Sequence, residues 1–205
     1  MKKGVFIVFE GIDGSGKSSC MDDVASMLEK NMKDTEIIKT AEPTRNEIGM
    51  LIRSSPDITA EAEALLFVAD RAQHTHEIKK WLENGKIVLC DRYYSSTMAY
   101  QSADLNGRCA DARWLESIHS GVIIRPDLTL LFDIDPGTGL ERIAPRGETS
   151  KFERFDYLKE VRNNYLEIAK KDGFTIIDAA KAKEDVLEEV LKHIYETVRG
   201  RQEII

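Results

Sequence analysis

The sequence predicts an α/β fold in three layers: a five-stranded parallel sheet flanked by helices on both faces. Its short apolar stretches are continuous rather than alternating, which is the pattern of strands buried on both sides. They take turns with longer segments whose apolar residues recur at helical spacing, and that alternation belongs to parallel strands joined by crossover helices. A third feature locates the functional edge of the sheet. The first apolar stretch runs straight into Gly11-Ile12-Asp13-Gly14-Ser15-Gly16-Lys17-Ser18-Ser19, a glycine-rich turn that opens a helix.

The elements follow in order. Gly4 to Phe9, GVFIVF, reads as the first strand. From Lys17 onward Met21, Val24, Ala25 and Leu28 mark a helix to about Lys30. Glu36 to Thr40 forms the second strand, closed by Glu42-Pro43. A long helix covers Glu61 to Glu83, with Ala64, Phe67, Val68 and Arg71 spaced along it, and Gly85 stops it. Lys86 to Cys90 is the third strand, and Ser95 to Ser120 reads as mainly helical. Leu128 to Ile134 is the fourth strand; Pro136 suits the helix start that follows, where its missing N–H is no loss. Thr175 to Ile177 is the fifth, before a helix rich in Ala, Glu and Lys that runs to about Val198. Between two helical patterns lies Ala144 to Glu153, APRGETSKFE. It reads either as a surface loop or as a lid that brings Arg146, with Arg142 from the preceding helix, onto bound substrate.

At 205 residues the chain is expected to form one domain, residues 1–205, with room for a short insert such as that lid. Lys plus Arg number 29 against 36 Asp plus Glu, a net charge of −7, which argues against a general nucleic-acid binder. A small anionic substrate remains compatible, because a few arginines in a cleft focus a local positive field. Cys20, Cys90 and Cys109 are widely spaced with no CxxC, so neither a zinc site nor a disulfide framework is expected, and a reducing, cytoplasmic setting fits. The apolar run near the start ends at Phe9 with Glu10 behind it, too short for a membrane span. No membrane association is expected.

Gly11 to Ser18 matches GxxxxGK[ST] between a strand and a helix, the context that gives the motif its meaning. Glycines let successive backbone N–H groups curl around a phosphate, and the helix N-terminus adds unpaired N–H groups and a positive dipole end. Lys17 has the reach for β- and γ-phosphates, and the Ser18 hydroxyl can ligate Mg²⁺. The fold expected is therefore of the P-loop NTP hydrolase type. No NKxD-like segment reads guanine, and a helicase or motor would be larger or more basic. A small-molecule kinase using ATP and Mg²⁺ is the class that remains.

Several stretches together carry a resemblance. FEGIDGSGKSS from Phe9, Glu42-Pro43-Thr44, FVADRAQH from Phe67, DRYYSSTMAYQ from Asp91, LFDIDPGTGLERI from Leu131 and IIDAAKAKEDV from Ile176 occur in the order and spacing of the thymidylate kinases. The similarity covers nearly the whole chain. It implies transfer of the γ-phosphoryl group of MgATP to dTMP, giving dTDP and ADP, and a homodimer. A kinase for another deoxynucleoside monophosphate such as dUMP, or a module that binds ATP without transferring its phosphate, are the alternatives.

The resemblance also implies roles for single residues. Phe67 would stack on the thymine ring and Arg71, one turn later on the same helix face, would hydrogen-bond the base. Each also has a plain reading, as core aromatic and solvated arginine. Asp91 would hold magnesium-bound water or the Ser18 hydroxyl, and Arg92 the acceptor phosphate, a task that suits its planar fork. Arg45, with Glu42 and Pro43 just before it, matches a position that contacts the same phosphate. Asp13 would lie near the acceptor's sugar and phosphate, Tyr100 against C2′ of the sugar, and Gln101 at the base. Ser96 and Thr97 would line that pocket, whereas Tyr93 and Tyr94 read equally as packing residues. On the donor side Arg142 would stack on adenine, with Asp178, Ala179 and Ala180 in the loop flanking the ring. The phosphate loop itself holds no arginine or lysine at its variable positions 12–15. The resemblance then assigns the lid arginine to Arg146, with Arg154 as the alternative.

Overall fold

The computed structural model describes residues 4–54, 58–104, 107, 109–143 and 151–203, with backbone alone at 151–153 and 202–203. Five strands make one sheet: β1 (Val5–Glu10), β2 (Ile37–Ala41), β3 (Ile87–Asp91), β4 (Leu128–Asp133) and β5 (Thr175–Asp178). Their order across the sheet is β2-β3-β1-β4-β5, and every neighbouring pair is parallel. The helices are α1 (Lys17–Asn31), α2 (Glu47–Arg53), α3 (Ala60–Glu83), α4 (Tyr94–Gln101), α5 (Ala112–His119), α6 (Pro136–Ile143), α7 (Lys151–Asp172) and α8 (Lys183–Glu203).

β1 shows why the apolar runs are continuous. All six of its residues are buried. Val5, Ile7 and Phe9 join the larger cluster that includes Val24 and Leu28 of α1 and Val190 and Ile194 of α8. Phe6 and Val8 point the other way, into a second cluster with Ile78 of α3 and Tyr93. Successive side chains on a strand face opposite sides, so a sheet covered twice needs apolar residues at every position.

The expected strands are all present, with ends shifted by a residue. Two parts of the expected pattern gain detail. The stretch Ser95 to Ser120, expected as mainly helical, holds two short helices, α4 and α5. Asp111 caps the second by accepting from the Trp114 N–H at 2.8 Å. Helix α2 was not foreseen; Asn46 caps it by accepting from the Gly49 N–H at 2.9 Å. The expected lid, Ala144 to Glu153, lies outside the described residues up to position 150, and from Lys151 the backbone is already in α7.

β1 sits between β3 and β4 while the chain leaves it for β2, so the strand order reverses beside it. Ligands of open α/β sheets bind outside the carboxyl ends of the strands at such a reversal. In register there are Phe9 of β1, Asp91 of β3 and Ala41 of β2, and from each of these strand ends a functional segment departs.

Candidate active site

The glycine-rich turn between β1 and α1 is shaped by close approach. Gly14 has φ +79°, and a Cβ there would stand 2.0 Å from the Gly139 carbonyl oxygen of α6. Gly139 in turn faces the Asp13 carbonyl, 2.8 Å from where its own Cβ would be. Two backbones touch at this point, and glycine on both sides is what allows it. Gly16, at φ +82°, caps α1, and nothing lies within 4 Å of where a Cβ would be.

Lys17 is buried at the start of α1. Burial, with the Arg92 charge nearby as the second cause, lowers its pKa to about 8. An ammonium held this way gains from an anion that replaces lost hydration. Ser18 donates its hydroxyl to Asp91 Oδ2 at the end of β3, one of the two arrangements the resemblance implies for Asp91. Among the described side chains, Ser15 Oγ and Asp91 Oδ1 are buried without a hydrogen-bond partner. An orphaned hydroxyl beside the loop suits a phosphate oxygen, and an orphaned carboxylate oxygen beside a serine hydroxyl suits a hydrated dication. The residues present therefore fit a magnesium-bound triphosphate.

Arg142 donates to the carbonyls of Gly14 at 3.4 Å and Ala179 at 3.2 Å, spanning from the phosphate loop to the β5–α8 turn. With Ser15, Ser19, Ala179 and Lys183 it lines a cavity of about 180 Å³. Asp178 accepts from the Ala180 N–H at 3.0 Å and so shapes that turn.

A second cavity, of about 380 Å³, collects most of the expected acceptor residues. Asp13, Glu42, Pro43, Phe67, Arg71, Arg92, Ser96, Thr97, Tyr100 and Gln101 all line it, and Glu63, Tyr93 and Tyr157 complete the wall. Phe67 is half-buried and belongs to none of the three apolar clusters, so its ring faces this cavity rather than the core. Gln101 Nε2 reaches Glu63 at 3.3 Å. Arg45 is elsewhere: exposed, it lines a neighbouring cavity with Lys39, Arg53 and His74, past the Pro43 turn.

Arg71 is almost wholly buried, and it is not the solvated arginine of the plain reading. Its Nε donates to Glu42 Oε2 at 2.7 Å, Nη1 to His119 Nε2 at 2.6 Å and Nη2 to Thr97 Oγ1 at 3.0 Å. Glu42 Oε1 also accepts from His74 Nδ1 at 2.9 Å. Asp70, the residue before, accepts from the Thr44 N–H at 2.7 Å and the Thr44 hydroxyl at 2.5 Å. The Asp70-Arg71 pair on α3 therefore clamps the Glu42-Pro43-Thr44 turn. Nη2 also stands 2.7 Å from Glu42 Oε2, so its two N–H groups serve Glu42 and Thr97, and Nη1 keeps its second N–H for a ligand in the cavity.

His119 is the least expected member. Its Nδ1 lies 2.5 Å from the Leu115 carbonyl, which only accepts, and its Nε2 faces an arginine, which only donates. The imidazole is consequently the neutral Nδ1–H tautomer. Burial, then the Arg71 charge, holds its pKa down at about 4.

Arg92 takes a left-handed φ of +67° at the turn after β3. Its Nη2 donates to Asp13 Oδ1 at 2.6 Å and to the Tyr100 hydroxyl at 3.3 Å, while its plane lies 5.0 Å from the Tyr100 ring centre. Its Nη1 donates to Ser96 Oγ at 3.2 Å and to the Tyr165 hydroxyl at 3.3 Å. Glu10, fully buried at the end of β1, accepts from the Tyr93 N–H, Ser96 and Tyr165. Burial raises its pKa, against the pull of those hydrogen bonds and of Arg92.

Sequence reasoning passed over Glu10, Asp70, His119, Tyr157 and Tyr165. For Glu10 a signal existed: a charged residue closing an apolar strand directly before the phosphate loop. For His119, Tyr157 and Tyr165 no spacing or neighbour marks the role. Arg146 lies outside the described residues. No helix among the described residues is long and apolar enough to cross a membrane, and Cys20, Cys90 and Cys109 are free thiols.

Comparison with known proteins follows the same line. The sequence model described as thymidylate kinase matches residues 9–190. The chain is 43% identical over 203 residues to a protein of Methanosarcina barkeri named probable thymidylate kinase, covering 95% of this chain and 97% of that one. It is 41% identical over 198 residues to its namesake in Methanococcoides burtonii, covering 94% and 96%. With the namesake in Pyrococcus horikoshii it shares 39% over 210 residues, covering 97% and 99%.

Proposed function

The chain belongs to the thymidylate kinase family, whose reaction is transfer of phosphate to dTMP to form dTDP, and we propose the following division of labour for it. The donor is MgATP and the second product ADP. One observation carries the reading: Arg92 reaches from the acceptor cavity to Asp13 inside the phosphate loop, so a phosphate held by Arg92 faces the loop that holds the donor.

Lys17 and the N–H groups from Gly11 to Ser19 hold the triphosphate. Ser18, and Asp91 through water, would hold Mg²⁺, whose chemistry when bound would be to neutralise charge on the triphosphate. Arg142 stacks on adenine beside Asp178, Ala179 and Ala180. In the acceptor cavity Phe67 stacks on thymine, Arg71 and Gln101 bond its edge, and Thr97 and Ser96 line the wall. Tyr100 occupies the space a ribose 2′-hydroxyl would need. Arg92 binds the acceptor phosphate, which Arg45 joins from the neighbouring cavity. No strong general base is required, because that phosphate is already anionic at neutral pH. Catalysis rests on alignment of the two phosphates and on charge neutralisation by Lys17, Arg92 and Arg146. Arg146 is assigned on sequence, because the loop has no basic residue at positions 12–15. The same reading takes residues 1–205 as one kinase domain with a lid at about 144–153, working as a cytoplasmic homodimer.

The test is a panel of nucleoside monophosphates, dTMP, dUMP, dCMP, dAMP and dGMP, each with MgATP, scored for diphosphate product. dTDP as the dominant product is expected. Faster formation of dUDP would reassign the acceptor, and no diphosphate from any of them would reduce the chain to a nucleotide-binding module.

A further inference from the structure

We propose that Glu10 is a positioning residue for the acceptor phosphate, acting on Arg92 through the hydroxyls of Ser96 and Tyr165. The proposal rests on the reading above that Arg92 binds that phosphate.

The argument is one of hydrogen-bond direction. Glu10 Oε1 accepts from the Tyr93 N–H at 2.9 Å, which ties the end of β1 to the start of α4. Oε2 accepts from Ser96 Oγ at 2.6 Å and from the Tyr165 hydroxyl at 3.0 Å. A hydroxyl has one hydrogen. Once Ser96 and Tyr165 turn theirs toward the carboxylate, or toward each other across 2.7 Å, their lone pairs are left for Arg92. Arg92 Nη1 donates to both, at 3.2 and 3.3 Å. The buried carboxylate therefore orients two hydroxyls, and the hydroxyls orient the guanidinium.

This splits the two ends of Arg92. Nη1 is held on the inner side by groups that are buried or half-buried. Nη2 faces the cavity and is bound to Asp13, whose side chain is 53% exposed, and to Tyr100. An exposed carboxylate is the partner an incoming phosphate can displace at least cost, whereas the inner pair stays. The left-handed backbone of Arg92 aims the side chain at this spot, and the Glu10 relay holds it there.

Glu10→Gln keeps the shape and changes the direction. With its oxygen on the Tyr93 N–H, the amide nitrogen would donate where Oε2 accepted, and at least one hydroxyl hydrogen, the one not given to the other hydroxyl across 2.7 Å, would be turned toward Arg92. Steady-state kinetics with separate KM values for dTMP and ATP, alongside thermal melts, provide the test. Glu10→Gln should raise the KM for dTMP about tenfold or more, with the KM for ATP moving less than about twofold. Tyr165→Phe should shift it the same way by a smaller factor, and Ser96→Thr should retain what Ser96→Ala loses. In an Arg92→Ala background the Glu10→Gln effect on dTMP should vanish. Should Glu10→Gln fail to fold, the Tyr165 and Ser96 variants carry the test. An unchanged KM for dTMP in Glu10→Gln or in both hydroxyl variants, or equal rises for both substrates with a lowered Tm, overturns the relay while Arg92→Ala still impairs dTMP binding. If Arg92→Ala itself leaves the KM for dTMP unchanged, the acceptor role of Arg92 fails and the relay with it.

Discussion

Arg71 Nη1 and His119 Nε2 meet at 2.6 Å in the interior, joining the middle of α3 to the last turn of α5 behind the acceptor cavity. The arginine can only donate, so the histidine must stay neutral for the contact to hold.

A pH dependence follows, and its sign is fixed by the depressed pKa. His119 stands at about 4 in the folded protein, against an ordinary 6.5. Between those values the unfolded chain binds the proton and the folded one does not. The stabilising contribution is fully present above pH 6.5 and is lost as pH falls from 6.5 through 4, by about 3 kcal/mol in all. His119→Gln retains an acceptor for Arg71 without a titrating ring, so its stability should fall less steeply over that interval in urea melts. Parallel profiles for the two proteins would remove His119 as the cause.

Lys17→Ala should reduce phosphoryl transfer by about 10²-fold or more while leaving the fold intact, because it removes charge from the donor phosphates. Activity within about threefold of wild type would contradict its assignment.

The lowered pKa of Lys17 adds a second readout. Near pH 8 the free side chain is about half protonated, and a bound triphosphate favours the ammonium, so donor binding should take up about half a proton. Calorimetry of MgATP binding at pH 8 in buffers of different ionisation enthalpy measures the uptake, which Lys17→Arg should lack. Affinity for MgATP should weaken as pH rises through 8.

Tyr100→Ala should keep the dTMP rate within about an order of magnitude and relax discrimination against the ribonucleotide acceptor, since it opens space for a hydroxyl. The ring also packs against Tyr157 and Tyr165, and the hydroxyl meets Arg92. Tyr100→Phe retains the ring and should preserve discrimination. A ratio of kcat/KM for the two acceptors that is the same in Tyr100→Ala as in wild type would take Tyr100 out of specificity.

Gly14→Ala should cost more than its size suggests. The added Cβ meets the Gly139 carbonyl, and a left-handed φ adds about 1–2 kcal/mol of backbone strain. Loss of MgATP affinity with a lowered Tm is expected; wild-type affinity would show that the loop and α6 can part.

What the sequence by itself determined is what local chemistry decides. Strands buried on both faces require unbroken apolar runs, as in β1 and β3, and five short strand-like segments marked the five strands to within a residue at each end, although the edge strands β2 and β5 are only partly buried. The phosphate loop was legible because its glycines, lysine and serine act within nine residues, on backbone they shape themselves. Short helices were less legible: α2 has seven residues and is held by the Asn46 cap and by contact with α3, too little periodicity to stand out.

The tertiary structure decided the partners of buried polar groups. Glu10 and Tyr165 are 155 residues apart, and Arg71 and His119 are 48 apart. No periodicity connects such positions. A carboxylate at a strand's end, a tyrosine on a late helix and an arginine after another strand become one relay only where β1, β3 and α7 converge. The same holds for Asp70-Arg71. The sequence put Arg71 at a ligand and left Asp70 without a role, and the fold turns Asp70 to hold the Thr44 turn while Arg71 serves both Glu42 and the cavity. Burial penalises an unpaired polar group, so Glu10, Arg71 and Asp70 each hold the partners that packing brought within reach.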